Sequence, residues 1–352
     1  MSFATKVKVG RHVIGDGEPV FIIAEAGVNH NGDLDLAKKL ILAAKKAGAD
    51  SVKFQTFKAE NLNTRHAPKS TYHIETTGAQ GSWFDLLKTQ ELDRRAHEVL
   101  IDCCQKAGIL FLSTPYDEES ADLLDDLGVL AFKVASTDAN NIPFLKYLAR
   151  KKKPILLSTA MCTLDEVKES VDAVACEGCR DLVLFHCTAN YPAKPSNANL
   201  RAMQTLAREF GVPAGYSDHI PENLIAVAAV GAGATAYEKH FTLDKTLPGP
   251  DHRASLEPSQ LKELVEFIRK TEIFLGRPEK RPLEAEKENR TKLRKSIVAR
   301  RNLKAGEKIT PEAICVKRPA TGLAPKFFDE LLGKTLNRDL EEDELVRWED
   351  VG

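Results

Sequence analysis

Polar and ionisable side chains close one short apolar run after another along this chain. Glu25 ends VFIIAEAG, and Lys53 and Gln55 lie two apart in SVKFQT. Ser113 and Thr114 end LFLSTPY, while Lys133, Ser136 and then Asp138 close VLAFKVASTD. Ser158 ends PILLSTA, and His186 and Thr188 end LVLFHCT, with Asn190 and Tyr191 just beyond. Ser217 and His219 end PAGYSDH, and Glu238 and His240 sit in TAYEKHFT. Charge at the end of a buried run is costly unless it is paired or binds something. Two lysines and several hydroxyls on one surface suit a substrate carrying phosphate and carboxylate. Two imidazoles from neighbouring strands suit a divalent cation such as Mn, Zn, Co or Fe, with water and substrate oxygens completing its shell. Glu25 and Asp251 add carboxylates for oxygen ligation or proton transfer. Singly, each residue reads as a solvated loop or a hydrogen-bonded structural group; their convergence carries the functional reading.

The apolar runs alternate with amphipathic stretches such as DLDLAKKLILAAKKAG and TLDEVKESVDAVAC. Near-continuous apolar strands separated by helices imply a parallel sheet covered by helices. Eight such units in about 250 residues predict an α/β fold, a (β/α)8 TIM barrel. A doubly wound open sheet is the competing reading, but no GxGxxG follows the first strand. Barrel side chains alternate between lumen and helix layer, and catalytic groups gather at the C-terminal strand ends. The polar residues above stand at those ends. Residues 57–89 are too long for a simple connection and carry Tyr72, His73, Trp83 and Phe84. They are expected to cover the site.

The barrel is expected over residues 1–280, a charged linker over 281–295 and a small domain over 296–352. Within the small domain, ARRNLKAGEKITPE echoes LNRDLEEDELVRWE, which predicts internal pseudo-symmetry. The chain has 352 residues, 43% of them hydrophobic and 29% charged, as in a soluble globular protein. A net charge of −1 lacks the basic excess of a nucleic-acid binder. No segment approaches the about 20 apolar residues of a membrane span, and the N-terminus shows no signal-peptide run. The seven scattered cysteines, including Cys176 and Cys179 in a lone C-x-x-C, read as reduced thiols of a cytoplasmic protein.

Taken together and in order, FIIAEAGVNHNGD, AGADSVKFQTF, FLSTPYD, FKVAS, PILLSTAM, HCTANYPA, GYSDH, EKHFTLD and GPDHRASLEP resemble the sialic acid (nonulosonate) synthases. KRPATGL and GKTLNRDL resemble that family's antifreeze-like, or SAF, domain, a small β-clip. The resemblance implies condensation of phosphoenolpyruvate with the open-chain aldehyde of an N-acyl-mannosamine-type sugar. Phosphate is released and a nine-carbon 2-keto acid forms, most simply N-acetylneuraminate. The alternatives are legionaminic acid, pseudaminic acid or a 9-phosphate. It also implies a divalent metal, Mn2+ foremost, with Mg2+ or Co2+ possible choices, and a domain-swapped homodimer.

Carried onto this chain, the resemblance makes His219 and His240 the metal ligands. Lys53, Thr114, Lys133, Ser136, Ser158 and Ser217 would hold phosphoenolpyruvate, and Lys295, with Arg294, would add phosphate contacts. Glu25 would transfer a proton or orient water. Gln55, Asp138, Asn190, Tyr191 and Asp251 would meet the sugar, and Arg318 would reach its N-acyl group across the dimer. Two departures stand out. Asp138 replaces a frequent Glu, one methylene shorter, and Asn190 lies directly before Tyr191 where relatives often carry the Asn one position earlier. Two readings compete: a Schiff-base aldolase using Lys53 or Lys133, and a non-catalytic carbohydrate- or ice-binding protein. The first leaves the histidines unused; the second does not fit a tail with Arg300, Arg301, Lys304, Lys317 and Arg318.

Overall fold

A computed structural model describes residues 2–69, 71–78 and 80–352. The chain divides into two compact units, the first ending at Gly276 and the second running Arg277–Gly352. The first begins with an antiparallel hairpin, β1 (Lys6–Val9) and β2 (His12–Gly15). Eight parallel strands follow: β3 (Phe21–Gly27), β4 (Ser51–Thr56), β5 (Leu110–Pro115) and β6 (Phe132–Val134), then β7 (Ile155–Ser158), β8 (Leu182–Cys187), β9 (Ala214–Asp218) and β10 (Ala236–His240). Their order is β5-β4-β3-β10-β9-β8-β7-β6. β5 and β6, at the two ends of that order, lie against each other and bring the sheet round into a nearly closed barrel. The eight expected strands are all present.

Local chemistry sets the alternation. Asp33 opens the helix Leu34–Ala47, its carboxylate accepting from Asp35 N and Leu36 N. Gly48 ends it at φ 91°, a left-handed turn that favours glycine. Asp93 and Gly108 bound Arg94–Ala107 in the same way. Thr163 and Glu166 form a capping box at the start of Leu164–Cys176. These helices bury Ala37, Leu40, Ile41, Leu100, Val167 and Val174 against the outer face of the sheet.

Inside the barrel a second, smaller cluster forms. Phe21, Ile23, Leu112, Leu156, Val183, Phe185 and Ala236 point inward from the N-terminal halves of their strands. Val7, Val9 and Ile14 of the hairpin pack on them and close that end as a floor. The hairpin is weakly signalled in sequence: KVKV alternates exposed and buried as strands do, whereas HVIG does not. Among its described residues the segment 57–89 contains three short helices, Ala59–Leu62, Thr71–Thr77 and Trp83–Thr89. Among the described residues no helix is long and apolar enough to cross a membrane.

In the second unit a short 3-10 turn, Glu284–Glu286, leads into the helix Lys287–Leu293, followed by β11 (Ser296–Ala299) paired antiparallel to β12 (Ile314–Lys317). Its own core contains Ile297, Leu303, Ile309, Ile314, Leu331, Leu336, Leu340 and Val346. The expected echo is real. Leu303 and Leu340 hold equivalent places in the two similar segments, and their backbones exchange reciprocal hydrogen bonds at 2.8 and 3.0 Å.

Candidate active site

Along the lumen face each strand changes character. Phe21 and Ile23 lead to Glu25 on β3, Leu156 leads to Ser158 on β7, and Ala236 leads to Glu238 and His240 on β10. The apolar residues build the floor, and the polar ones line a cavity of about 640 Å³ at the other end. The helix Thr71–Thr77 supplies Thr71, Tyr72, His73 and Glu75 to the same cavity. The His73 ring stacks on Trp83 at 4.1 Å. This segment covers the site, as expected, but through helices rather than an open loop.

A buried charge network occupies the cavity bottom. Lys53 Nζ lies 3.0 Å from Glu25 Oε2 and 3.8 Å from Glu238 Oε2. It also donates to Thr114 Oγ1 at 3.0 Å. Lys133 Nζ donates to Ser158 Oγ at 2.6 Å, stands 3.8 Å from Glu238 Oε1 and rests over the Phe185 ring. Ser217 Oγ donates to Glu238 Oε1 at 3.1 Å, and Gln55 Nε2 donates to Glu25 Oε1 at 3.1 Å. Two ammonium groups and two carboxylates balance where neither sign could stand alone. Burial pushes Glu25 up to about 7, with Lys53 opposing and Glu238 assisting. Burial also pushes Glu238 up, but Lys133 and Lys53 together outweigh it and hold that carboxyl low. Burial lowers Lys133. It pulls Lys53 the same way, but Glu238 and Glu25 overcome it and keep that ammonium charged.

His219 and His240 come from the exits of adjacent strands, with ring centroids 5.4 Å apart. His219 Nδ1 meets the Thr188 carbonyl at 2.7 Å, so Nδ1–H donates and Nε2 keeps its lone pair. Burial lowers both imidazoles, His240 well below the usual range, so both are neutral. His240 Nδ1 is buried without a hydrogen-bond partner among the described residues. Two neutral imidazoles and an orphaned nitrogen in a polar cavity fit a borderline divalent ion. Among the described residues no cluster of three or more His, Cys, Asp and Glu side chains is arranged to hold one. His219 and His240 would supply two ligands to such an ion, and water and substrate would supply the rest.

Comparison with known proteins decides the family. Residues 40–280 match the NeuB family and residues 294–352 match the SAF domain. The chain belongs to the NeuB family. N,N'-diacetyllegionaminic acid synthase of Legionella pneumophila is 46% identical over 341 residues, covering 96% of each chain. The enzyme of the same name from Campylobacter jejuni is 46% identical over 328 residues, 93% of this chain and 98% of that one. Among solved structures, an N-acetylneuraminic acid (sialic acid) synthetase from Leptospira borgpetersenii, in complex with citrate, superposes with a TM-score of 0.74. It is 34% identical and covers 82% of this chain and 96% of that one. This NeuB-family chain is an enzyme of the nonulosonate synthase type.

Within this NeuB-family barrel, most of the expected residues meet in one place. Glu25, Lys53, Gln55, Lys133, Ser136, Ser158, Asn190, Tyr191, Ser217, His219 and His240 all line the cavity. The Tyr191 ring lies 4.0 Å from His219 and edge-on to His240 at 5.6 Å. Ser136 Oγ accepts from Ala160 N, which ties the turn after β6 to the end of β7. Thr114 is buried beneath Lys53 and holds that ammonium rather than facing the cavity. Asp251 is close to Glu25 and Gln55: a Cβ on Gly27 (φ 52°) would lie 3.3 Å from each of them and 3.7 Å from the Asp251 carboxylate. Burial raises Asp251 to about 6.

Several expected residues of the barrel lie outside the cavity lining. Asp138 turns aside to accept from Asn141 Nδ2 at 3.1 Å in the turn after β6. Ser113 faces the helix layer, bonded to Thr56 Oγ1. His186 faces it too, its Nε2 against the Ala198 carbonyl, and Thr188 Oγ1 donates to the Asn197 carbonyl. Ser113 and Thr114 are consecutive in a strand, so only one of them can face the lumen. Lys295 precedes β11 and Arg318 follows β12, both exposed on the second unit. Sequence reasoning missed Tyr116 and Cys187 on the cavity wall, and left Glu238 out of the substrate site although it bridges both lysines.

Proposed function

We propose that this enzyme condenses phosphoenolpyruvate with the open-chain aldehyde of an N-acyl amino sugar. The observation carrying this reading is the pairing of a two-lysine, hydroxyl-rich pocket with two neutral imidazoles in one cavity. Lys53 and Lys133, aided by Ser136, Ser158 and Ser217, bind the donor's phosphate and carboxylate by charge-assisted hydrogen bonds. The enol C3 of the donor bonds to the aldehyde carbon, whose oxygen takes a proton. Water then adds at C2, losing a proton to Glu25, and the C2–O bond to phosphate breaks. The keto acid and inorganic phosphate result. His219 and His240 would hold the divalent metal, Mn2+ foremost. When bound, it supplies Lewis-acid polarisation of the aldehyde. The proposed assembly is a homodimer.

The relatives and the charge of the covering segment support one class of sugar. Relatives at 46% identity are named for N,N'-diacetyllegionaminic acid, whereas relatives named for N-acetylneuraminate 9-phosphate stand at 37% and 38% and a solved structure named for N-acetylneuraminic acid at 34%. A 2,4-diacetamido-trideoxy sugar is therefore favoured over N-acetylmannosamine. Among the described residues of the covering segment, three basic side chains already have partners, which weighs against a 6-phosphate. Lys58 pairs with Glu91 at 3.9 Å, Arg65 lies over the Phe84 ring, and Lys69 donates to the carbonyls of Gly78 and Gln80. Glu75, which lines the cavity, opposes a second phosphate.

Phosphate release from phosphoenolpyruvate with Mn2+, run against the diacetamido sugar, N-acetylmannosamine and its 6-phosphate, tests this reading. Release with the diacetamido sugar alone, abolished by EDTA, is the expected result. A borohydride-trapped pyruvate adduct on Lys133, without phosphate release, overturns it in favour of the aldolase. Glu25 predicts the pH profile. Its ionised form accepts the proton from water, so kcat/KM rises with pH through about 7. Glu25→Gln should lower the rate and remove that inflection; an inflection that persists removes Glu25 from the role.

A further inference from the structure

Asp218 and Lys239 are as deeply buried as any residues in the barrel, and they face away from the chemistry. Their side chains are 0% and 1% exposed. They are paired in register on β9 and β10, each immediately before a histidine of the site. Alternation along the strands sends His219 and His240 toward the cavity and this pair to the opposite face. Asp218 Oδ2 accepts from Lys239 Nζ at 2.6 Å and from Tyr237 OH at 2.7 Å. Asp218 Oδ1 accepts from Ile220 N at 2.8 Å, and Lys239 Nζ also donates to the Ile220 carbonyl. The residues on both sides of His219 are thus tied to the side chain that precedes His240, Asp218 through its carboxylate and Ile220 through its carbonyl.

Stability alone does not account for such a pair. Two charges taken out of water cost more than they return unless every partner is met, and apolar replacements of similar volume are often neutral or stabilising. What the ion pair supplies, and two apolar side chains would not, is a fixed register between two strand exits. We propose that the Asp218–Lys239 pair is a positioning device that sets the spacing of the two imidazoles for metal binding. This rests on the metal reading of His219 and His240. Groups outside a ligand shell tune a metal site by orienting its ligands; this pair would do so through the backbone that carries the histidines, the imidazole of His219 being held directly by the Thr188 carbonyl.

The test measures Mn2+ binding to the full chain without substrates, by the paramagnetic resonance signal of free Mn2+. The double replacement Asp218→Leu with Lys239→Met removes both charges without leaving either orphaned. It should stay folded, keep its KM for phosphoenolpyruvate and bind Mn2+ more weakly by about 10-fold or more. Tyr237→Phe, which deletes one hydrogen bond at constant shape and charge, should move the affinity the same way by a smaller factor. Either variant folded and binding Mn2+ like the wild type overturns the proposal. A wild-type chain that binds no Mn2+ overturns the metal reading itself, and this proposal with it.

Discussion

Lys53→Met is expected to lower kcat/KM for phosphate release by about 10³-fold, in the range seen when one preorganised donor is removed from a reacting oxyanion. The size follows from what surrounds the ammonium. Lys53 is 4% exposed and faces Glu25 at 3.0 Å, Thr114 at 3.0 Å and Glu238 at 3.8 Å. Deleting it removes a charge-assisted donor to the substrate and leaves two buried carboxylates sharing only Lys133. With its main opposing influence gone, Glu25 is pushed further up and stays protonated at neutral pH. The variant therefore loses both substrate affinity and its proton acceptor, and kcat should fall along with kcat/KM. Arginine should not rescue it, because the planar guanidinium cannot occupy a point between three close oxygens. Steady-state phosphate release, with circular dichroism to establish folding, is the measurement. Activity within about threefold of wild type would remove Lys53 from the donor site.

The parts of this architecture legible in the sequence depend on neighbours in the chain. The eight strand–helix units show themselves through apolar runs, Asp or Thr caps and terminal glycines, all local signals. The strand-end rule correctly placed Glu25, Lys53, Lys133, Ser217, His219 and His240 on one cavity. It failed where alternation was not followed to the next residue, as with Ser113, and where a polar strand residue served the helix layer, as with His186. Glu238 was under-read for a different reason. It lies on β10, whereas Lys53 is on β4 and Lys133 on β6, and neither strand pairs with β10. Only closure of the barrel brings the three across the lumen. The covering helices escaped detection because runs of four to seven residues do not display a helical period.

Ile14→Ala should destabilise the barrel by about 2–5 kcal/mol while leaving kcat per folded molecule unchanged. Ile14 is 0% exposed, as are Val7 and Val9, and the three close the lumen against Phe21, Ile23, Leu112, Leu156, Val183 and Phe185. A barrel interior is a packed core, so a shortened plug leaves a void among side chains held in place by their strands. The surroundings cannot collapse into it without moving the sheet, which puts the cost toward the upper part of that range. The effect should remain thermodynamic. The cavity-lining residues occupy the other ends of the same strands, and Phe185, whose ring supports Lys133, keeps its strand neighbours. Because the chain holds two compact units, the loss is best read region by region, as faster amide exchange in β3, β7 and β8 with exchange in the second unit unaltered. A folded variant with undiminished protection in those strands would show that the hairpin merely rests on a core complete without it. A fall in kcat at full folding would show that the floor sets the height of Lys133 in the site.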